Sequence, residues 1–322
     1  MTGSKTSRPS TDMDGEVIRI LARDGVELAV GARPAANADG PAVVVVHGIA
    51  SHMGWYDGVA RALQARGISA YLPDRRGCGI SGGERGHAED WSILVDDVRR
   101  VCEEVRGRHP GAPLGIIGLS LGGVFAAALA IRHPDLCDTL ILPAPAFAST
   151  VNVPLARRLR VLRRSFTNPT KLYDLPFGPK EIVNRDDWRT ALEGDALRTR
   201  RVSARFLTSM FRCQRFTSRQ FWRIKVPTYC MLAEDDQVID NAGVRRVVES
   251  GSGEPRWIET FLGAPHVIPS TLPRDALLHR LESWLRGAPQ EAGPAVRTFE
   301  TEIIVEPDTA FADPPDLSGA AT

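Results

Sequence analysis

The chain lacks most of the features that would commit it to a specialised class. Its five cysteines (Cys78, Cys102, Cys137, Cys213 and Cys230) contain no Cys-x-x-Cys pair, which speaks against a thiolate zinc site and a disulfide framework. An odd, scattered set of this kind predicts a reduced, cytoplasmic protein. No apolar run approaches the roughly 18 residues of a membrane helix, and the strongest, over 42–46, is strand-sized. Residues 1–14 hold no apolar stretch, so no secretory leader is expected there. Charge of one sign is missing too. Forty Lys and Arg against 39 Asp and Glu leave a net charge of +1, unlike the large basic excess of a dedicated nucleic-acid binder. No internal repeat is evident, and neither a metal nor a cofactor is expected. What remains is an ordinary globular composition, 43% hydrophobic and 25% charged in 322 residues, ample to bury a core unaided.

Strand and helix signals then alternate along the chain. Residues 17–21 and 26–30 flank Asp24-Gly25, a hairpin signal. Apolar strand-type runs at 42–46, 68–72, 114–119 and 139–142 are separated by helical periodicity over 55–66, 91–106 and 121–132. Such alternation predicts an α/β fold, a mostly parallel central sheet with helices on both faces. Residues 151–222 interrupt it. They hold sixteen Lys and Arg against six Asp and Glu, with helical and loop signals and no convincing strand. Strands resume at 228–232 and 257–261, and a helix over 274–286 follows. One α/β domain with an insertion explains this best: a disordered tail over 1–15, a core from 16–145 and 223–286, a helical cap over 146–222, and an acidic tail over 287–322. Within that tail 296–305 alternates as a strand would.

Gly-x-Ser-x-Gly occurs twice, around Ser81 and around Ser120, and with 29 glycines in the chain the letters alone are weak. Context separates the two. Ser120 follows the apolar strand at 114–119 and opens the apolar helix beginning at Leu121, the sharp strand-to-helix turn that presents a nucleophilic hydroxyl. Ser81 has no strand directly before it and a charged loop after it, so it is expected to be a loop residue. A serine needs a base within hydrogen-bond reach and an acid that orients the base. Where the nucleophile sits on such an elbow, the partners follow in the order Ser, acid, His. Among seven histidines only His266 has that order and a loop after a late strand. His47 and His52 precede the nucleophile, His109 and His133 are expected to be exposed helix ends, and His279 lies on the last helix. The acid lies after the strand at 228–232: Asp236 leads, with Asp235 and Asp240 as alternatives, and the unselected acids would cap the helix near Asn241. Two backbone N–H donors are needed for an oxyanion hole, and Leu121 and Ile49 are the candidates, Gly48 freeing the backbone to turn inward.

Taken in order, these residues resemble the monoacylglycerol lipase/lysophospholipase branch of the α/β-hydrolases. His47-Gly48-Ile49 is similar to its oxyanion loop, and Asp74-Arg75-Arg76-Gly77-Cys78-Gly79-Ile80-Ser81, continued by Arg85-Gly86-His87, to its Asp-x-Arg-Gly-x-Gly-x-Ser loop. Residues 118–123 resemble its nucleophile elbow, and 233–240 with His266 its acid and base loops. The likeness spans roughly 17–286. Cys78 stands where the family often has His, and Leu119 and Leu121 replace the usual His and Met beside the serine. The resemblance implies carboxylic ester hydrolysis of a small-molecule or lipid ester, through an acyl-enzyme and beneath a cap that admits an acyl chain. An aminopeptidase or amidase, or an acyltransferase, would share the triad. The cap arginines (Arg157, Arg158, Arg160, Arg163 and Arg164) suit peripheral contact with a membrane surface; solvation, or pairing with the acidic tail, explains them equally well.

Overall fold

A computed structural model of the chain describes residues 15–270, 274–287 and 296–299. Strands β1 (Glu16–Leu21) and β2 (Glu27–Arg33) form the expected antiparallel hairpin, with Gly25 in the left-handed region at its turn. The alternating units follow: β3 (Ala42–Val46), α1 (Asp57–Ala65), β4 (Ser69–Pro73), α2 (Trp91–Arg108), β5 (Leu114–Gly118), α3 (Leu121–Arg132) and β6 (Thr139–Pro143). The segment expected to form the cap holds α4 (Leu155–Thr167), β7 (Leu172–Asp174), α5 (Pro179–Ile182), α6 (Asp186–Gly194), β8 (Arg201–Ser203) and α7 (Ala204–Gln220). The core resumes with β9 (Thr228–Ala233), α8 (Asn241–Glu249), β10 (Arg256–Phe261), α9 (Arg274–Leu285) and β11 (Val296–Phe299). One sheet joins nine strands in the order β1-β2-β4-β3-β5-β6-β9-β10-β11, parallel throughout except at β2.

The reason the parallel strands read as unbroken apolar runs lies in the packing. Val44 and Val46 of β3 join the core beneath α2, α3 and α8, whereas Val43 and Val45 join the core beneath α1 and α9. Both faces are dry, so neither register position can be polar. From Leu121 to Ile131 every residue of α3 is buried as well, because it lies between the sheet and α2 with α7 of the cap above. The chain passes from β3 outward to β4 and then back across β3 to β5. That reversal opens a crevice at the carboxyl ends of β3 and β5, where α/β sheets bind ligands.

Several details differ from what the sequence suggests. The cap holds a short antiparallel ribbon, β7 with β8, whose three-residue strands are too brief to show a period. His109 is buried, not exposed: its ring lies 2.8 Å from the Tyr71 hydroxyl and 3.2 Å from the Ala38 carbonyl. The helix expected from residue 55 begins at Asp57, after a 3-10 turn over Met53–Tyr56 that the His52 side chain caps. Of the strand expected over 296–305, Val296–Phe299 pairs parallel with β10, and 300–305 lies outside the described residues, as does the tail expected over 1–15 except Gly15. All five cysteines are free and buried. Burial pushes the thiols of Cys102, Cys213 and Cys230 well above their usual range and that of Cys137 up to about 12. Among the described residues no helix is long and apolar enough to cross a membrane.

Candidate active site

Ser120 sits where β5 turns into α3, at φ 51° and ψ −116°, one of two non-glycine residues with positive φ among those described. Such a conformation costs about 1–3 kcal/mol and persists only where its surroundings enforce it. The flanking glycines are contact requirements. A Cβ on Gly122 would stand 2.0 Å from the Val46 carbonyl oxygen, and one on Gly118 would stand 2.7 Å from Gly123 Cα. Backbone hydrogen bonds hold the turn on both sides: Leu119 N–H donates to Val46 O and Ser120 N–H to Pro143 O, each at 3.0 Å. Among the described residues the Ser120 hydroxyl has no hydrogen-bond partner in the protein.

Asp236 and His266 come together from the loops after β9 and β10. The Asp236 side chain is fully buried and that of His266 nearly so. One carboxylate oxygen accepts the N–H groups of Val238 and Ile239 at 2.8 and 2.9 Å, and the other lies 2.7 Å from His266 Nδ1. A carboxylate accepts, so Nδ1 carries the proton and Nε2 keeps its lone pair. Asp235 is exposed on the same loop. Asp240 instead caps α8, accepting from Gly243 N–H at 3.1 Å, as expected of an unselected acid.

Ser120 and His266 line one cavity, together with Ile49, Trp55 and, from the cap, Phe177 and Ile182. None of its lining residues is acidic. No hydrogen bond joins the serine and histidine side chains, and among the described residues the N–H groups of Ile49 and Leu121 donate to no protein acceptor. Gly48 makes its turn without entering the left-handed region. A Cβ there would meet Ser120 Cβ at 3.4 Å, so its peptide lies directly against the nucleophile. No group of three or more His, Cys, Asp or Glu among the described residues is arranged to hold a metal ion.

The cap is tied to this loop by groups that sequence reasoning passed over. His52 Nδ1 accepts Gly54 N–H at 3.2 Å, so its Nε2–H donates to Asp195, at the end of α6, at 3.0 Å. Trp55 Nε1 donates to the same oxygen at 2.7 Å, and Thr199 N–H donates to Ala50 O at 3.0 Å. Burial favours the neutral Asp195 carboxyl, but the hydrogen bonds from His52 and Trp55 and the Leu197 N–H outweigh it and hold its pKa below the usual value. Chain order argues against His52 as the base, and no local pattern marks Asp195 as its partner. Arg75, buried behind the same loop, also went unrecognised.

Comparison with known proteins agrees with this architecture. The sequence pattern of the family described as serine aminopeptidase, S33 matches residues 38–270. The monoglyceride lipase of Homo sapiens is 25% identical over 265 residues, spanning 79% of this chain and 84% of that protein. The monoacylglycerol lipase of Mycolicibacterium smegmatis is 27% identical over 250 residues, spanning 76% and 87% respectively. The crystal structure of Paleococcus ferrophilus monoacylglycerol lipase superposes with a TM-score of 0.73 at 24% identity, covering 82% of this chain and all of that one. With the family match running through the sheet, the cap and the loops that carry Ser120, Asp236 and His266, the chain belongs to the serine aminopeptidase S33 family, as an α/β-hydrolase of the monoacylglycerol lipase-like branch.

Proposed function

We propose that the protein is a serine hydrolase cleaving carboxylic esters of lipid-like acyl substrates, of monoacylglycerol or lysophospholipid type. The observation that carries this reading is the buried Asp236–His266 pair, 2.7 Å apart, whose imidazole lines the same cavity as a strained serine with an unspent hydroxyl. Ser120 Oγ attacks the ester carbonyl carbon while its proton passes to His266 Nε2. Asp236 holds the ring in the required tautomer and stabilises the imidazolium. Negative charge develops on the carbonyl oxygen, toward which the N–H groups of Ile49 and Leu121 donate. Collapse expels the alcohol, which takes the proton from His266, and leaves an acyl group on Ser120. Water then attacks that ester, gives its proton to His266, and the acid departs as Ser120 recovers its hydrogen. The separation of serine from imidazole fits a site whose hydrogen bonds tighten only with substrate bound. An aminopeptidase would need an acid to hold a free amine, and none lines the cavity.

The cap supports delivery to a lipid surface. Leu155, Leu159, Leu162 and Phe166 recur at four-, three- and four-residue steps along α4 and are 48–73% exposed. Val161 and Ser165, about a third of a turn around the helix from that stripe, are buried. Among the described residues none of the five α4 arginines pairs with a carboxylate, although Arg157 and Arg158 reach backbone carbonyls. An apolar stripe flanked by cations, here Arg158 and Arg163, is the pattern of a helix lying on anionic lipid.

A fluorophosphonate probe tests the chemistry. Wild type and Ser81→Ala are expected to label and Ser120→Ala to remain blank; labelling lost only in Ser81→Ala overturns the assignment. Co-flotation with phosphatidylserine-containing vesicles at low salt tests the surface. Binding is expected for wild type and not for Leu159→Glu/Phe166→Glu, and a wild type that stays unbound refutes the lipid contact.

A further inference from the structure

Arg75 presents an energetic puzzle. It is 5% exposed, yet among the described residues it pairs with no carboxylate, and its Nε and Nη1 are buried without a partner. A buried cation without an ion-pair partner is costly by general precedent; the buried Asp74 carboxylate, next to it in the chain, attracts it only from beyond ion-pair distance, so its retention asks for a gain elsewhere. Its guanidinium lies between the rings of Phe125 and Phe206, 5.9 Å from each centroid, which offsets part of that cost. Among the described residues its side chain donates only from Nη2, to the carbonyls of Gly48 at 2.8 Å and Ile49 at 3.2 Å.

Those carbonyls belong to the loop facing Ser120. The Gly48 carbonyl and the Ile49 N–H are two ends of one peptide unit, which is trans, so they point in opposite directions. His47 grips the same carbonyl. Its Nδ1–H donates to Gly48 O at 2.8 Å while its Nε2 accepts the Arg75 N–H at 3.0 Å, which fixes the tautomer. The carbonyl is thus held from behind by one cation and one neutral donor, with Ile49 lining the cavity on the far side. We propose that Arg75 is a positioning residue for ester cleavage: by binding the Gly48 carbonyl it aims the Ile49 N–H at the reacting oxygen and polarises that peptide into a stronger donor. The inference rests on the reading of Ser120 as nucleophile and of Ile49 as an oxyanion donor. Its physical content is electrostatic preorganisation, a fixed charge whose effect is felt only when the substrate oxygen becomes negative.

The test compares Arg75→Met, which keeps an unbranched apolar stem between the two rings, with Arg75→Gln and Arg75→Lys, each verified as folded by circular dichroism and thermal melting. Readouts are kcat and KM for an aryl ester and the inhibition constant of an alkyl trifluoromethyl ketone, whose hemiketal oxyanion mimics the intermediate. Arg75→Met and Arg75→Gln are expected to lower kcat about 10- to 100-fold, less than the roughly 10²–10³-fold of losing an oxyanion donor outright. KM should stay within about threefold, ketone affinity should fall in parallel with kcat, and Arg75→Lys should recover much of both, since an interaction made only in the transition state lowers kcat alone. A folded Arg75→Met or Arg75→Gln with kcat and ketone affinity within twofold of wild type overturns the proposal. So does a pattern in which only melting temperature or KM changes. Persisting activity in Ser120→Ala would instead sink the underlying reading, whatever Arg75 does.

Discussion

Ser81 and Ser120 carry the same glycine spacing on loops at the same edge of the sheet, yet their hydroxyls are in opposite situations. The Ser81 oxygen is fully engaged: it donates to Asp74 O at 2.7 Å and accepts from Ala29 N–H at 2.8 Å, stitching the loop after β4 to β2. Neighbouring Gly82 donates to Glu27 O on the same strand. Ser81 has no positive φ, and a turn rather than a helix follows it. Ser120 is strained and opens a fully buried helix, and its hydroxyl makes no hydrogen bond to the described protein. A serine that spends its hydrogen bonds on architecture has none left for chemistry. The five-letter pattern is therefore less informative than whether the fold consumes the oxygen or leaves it over.

This contrast can be attacked from several directions. The largest effect is expected at the orienting acid: Asp236→Asn should lower kcat by roughly 10³–10⁴-fold, the scale seen when a triad acid is neutralised. The same change at exposed Asp235 should leave steady-state kinetics unaltered. Next comes the elbow's geometry. Gly122→Ala forces a Cβ to 2.0 Å from Val46 O and should cost more than about 3 kcal/mol in urea unfolding. Gly58→Ala in α1, where a Cβ meets nothing within 4 Å, should be neutral or stabilising by up to about 1 kcal/mol. Removing the decoy hydroxyl in Ser81→Ala strands Ala29 N–H, for a loss of about 1–3 kcal/mol in stability with kcat retained.

The smallest effect is a pH dependence behind the oxyanion loop. Burial first, then the charge of Arg75, hold the His47 pKa well below its ordinary 6.5, so the folded protein keeps it neutral. The groups around it are Arg75, His52 and Asp74, whose carboxylate lies 4.0 Å from Nε2. An unfolded chain takes up the proton near pH 6.5, so this contribution to stability is intact above that pH. It diminishes as the pH drops toward the folded pKa, by at most about 1.4 kcal/mol per pH unit. Thermal melts between pH 8 and 5 should therefore slope downward, and His47→Gln should flatten the slope; an unchanged slope in that variant would assign the pH dependence elsewhere.

The parts of the molecule that announce themselves are those in which one physical demand acts along a whole segment. Both faces of β3 and β5 are dry, so their residues are apolar without a gap, and α3 is buried all round, so it is apolar all round. His266 and the acidic loop were legible because the order of strands restricts which loops can meet at one edge. The choice among Asp235, Asp236 and Asp240 was not, because it depends on which carboxylate the loop turns inward, and here the Val238 and Ile239 N–H groups draw in Asp236. His109 looked exposed at a helix end until Tyr71 and Ala38 covered it. Arg75 and Arg76 are neighbours of identical type. Only in three dimensions does Arg76 prove to be forked onto Asp97 and Asp24, while among the described residues no carboxylate comes within ion-pair distance of Arg75. Asp195 meets His52 across 143 residues of chain, a pairing that no local pattern encodes.

The five interior thiols have a practical corollary. A bulky sulfhydryl reagent can react only with molecules in which the core has opened, and burial keeps at least four of these thiols from ionising before it does. The rate of alkylation under native conditions therefore counts excursions from the native state, with probes already spread from the loop after β4, through α2 and the cap helix α7, to β9. The natural sequence thus comes with its own unfolding clock, readable by mass without adding a single label.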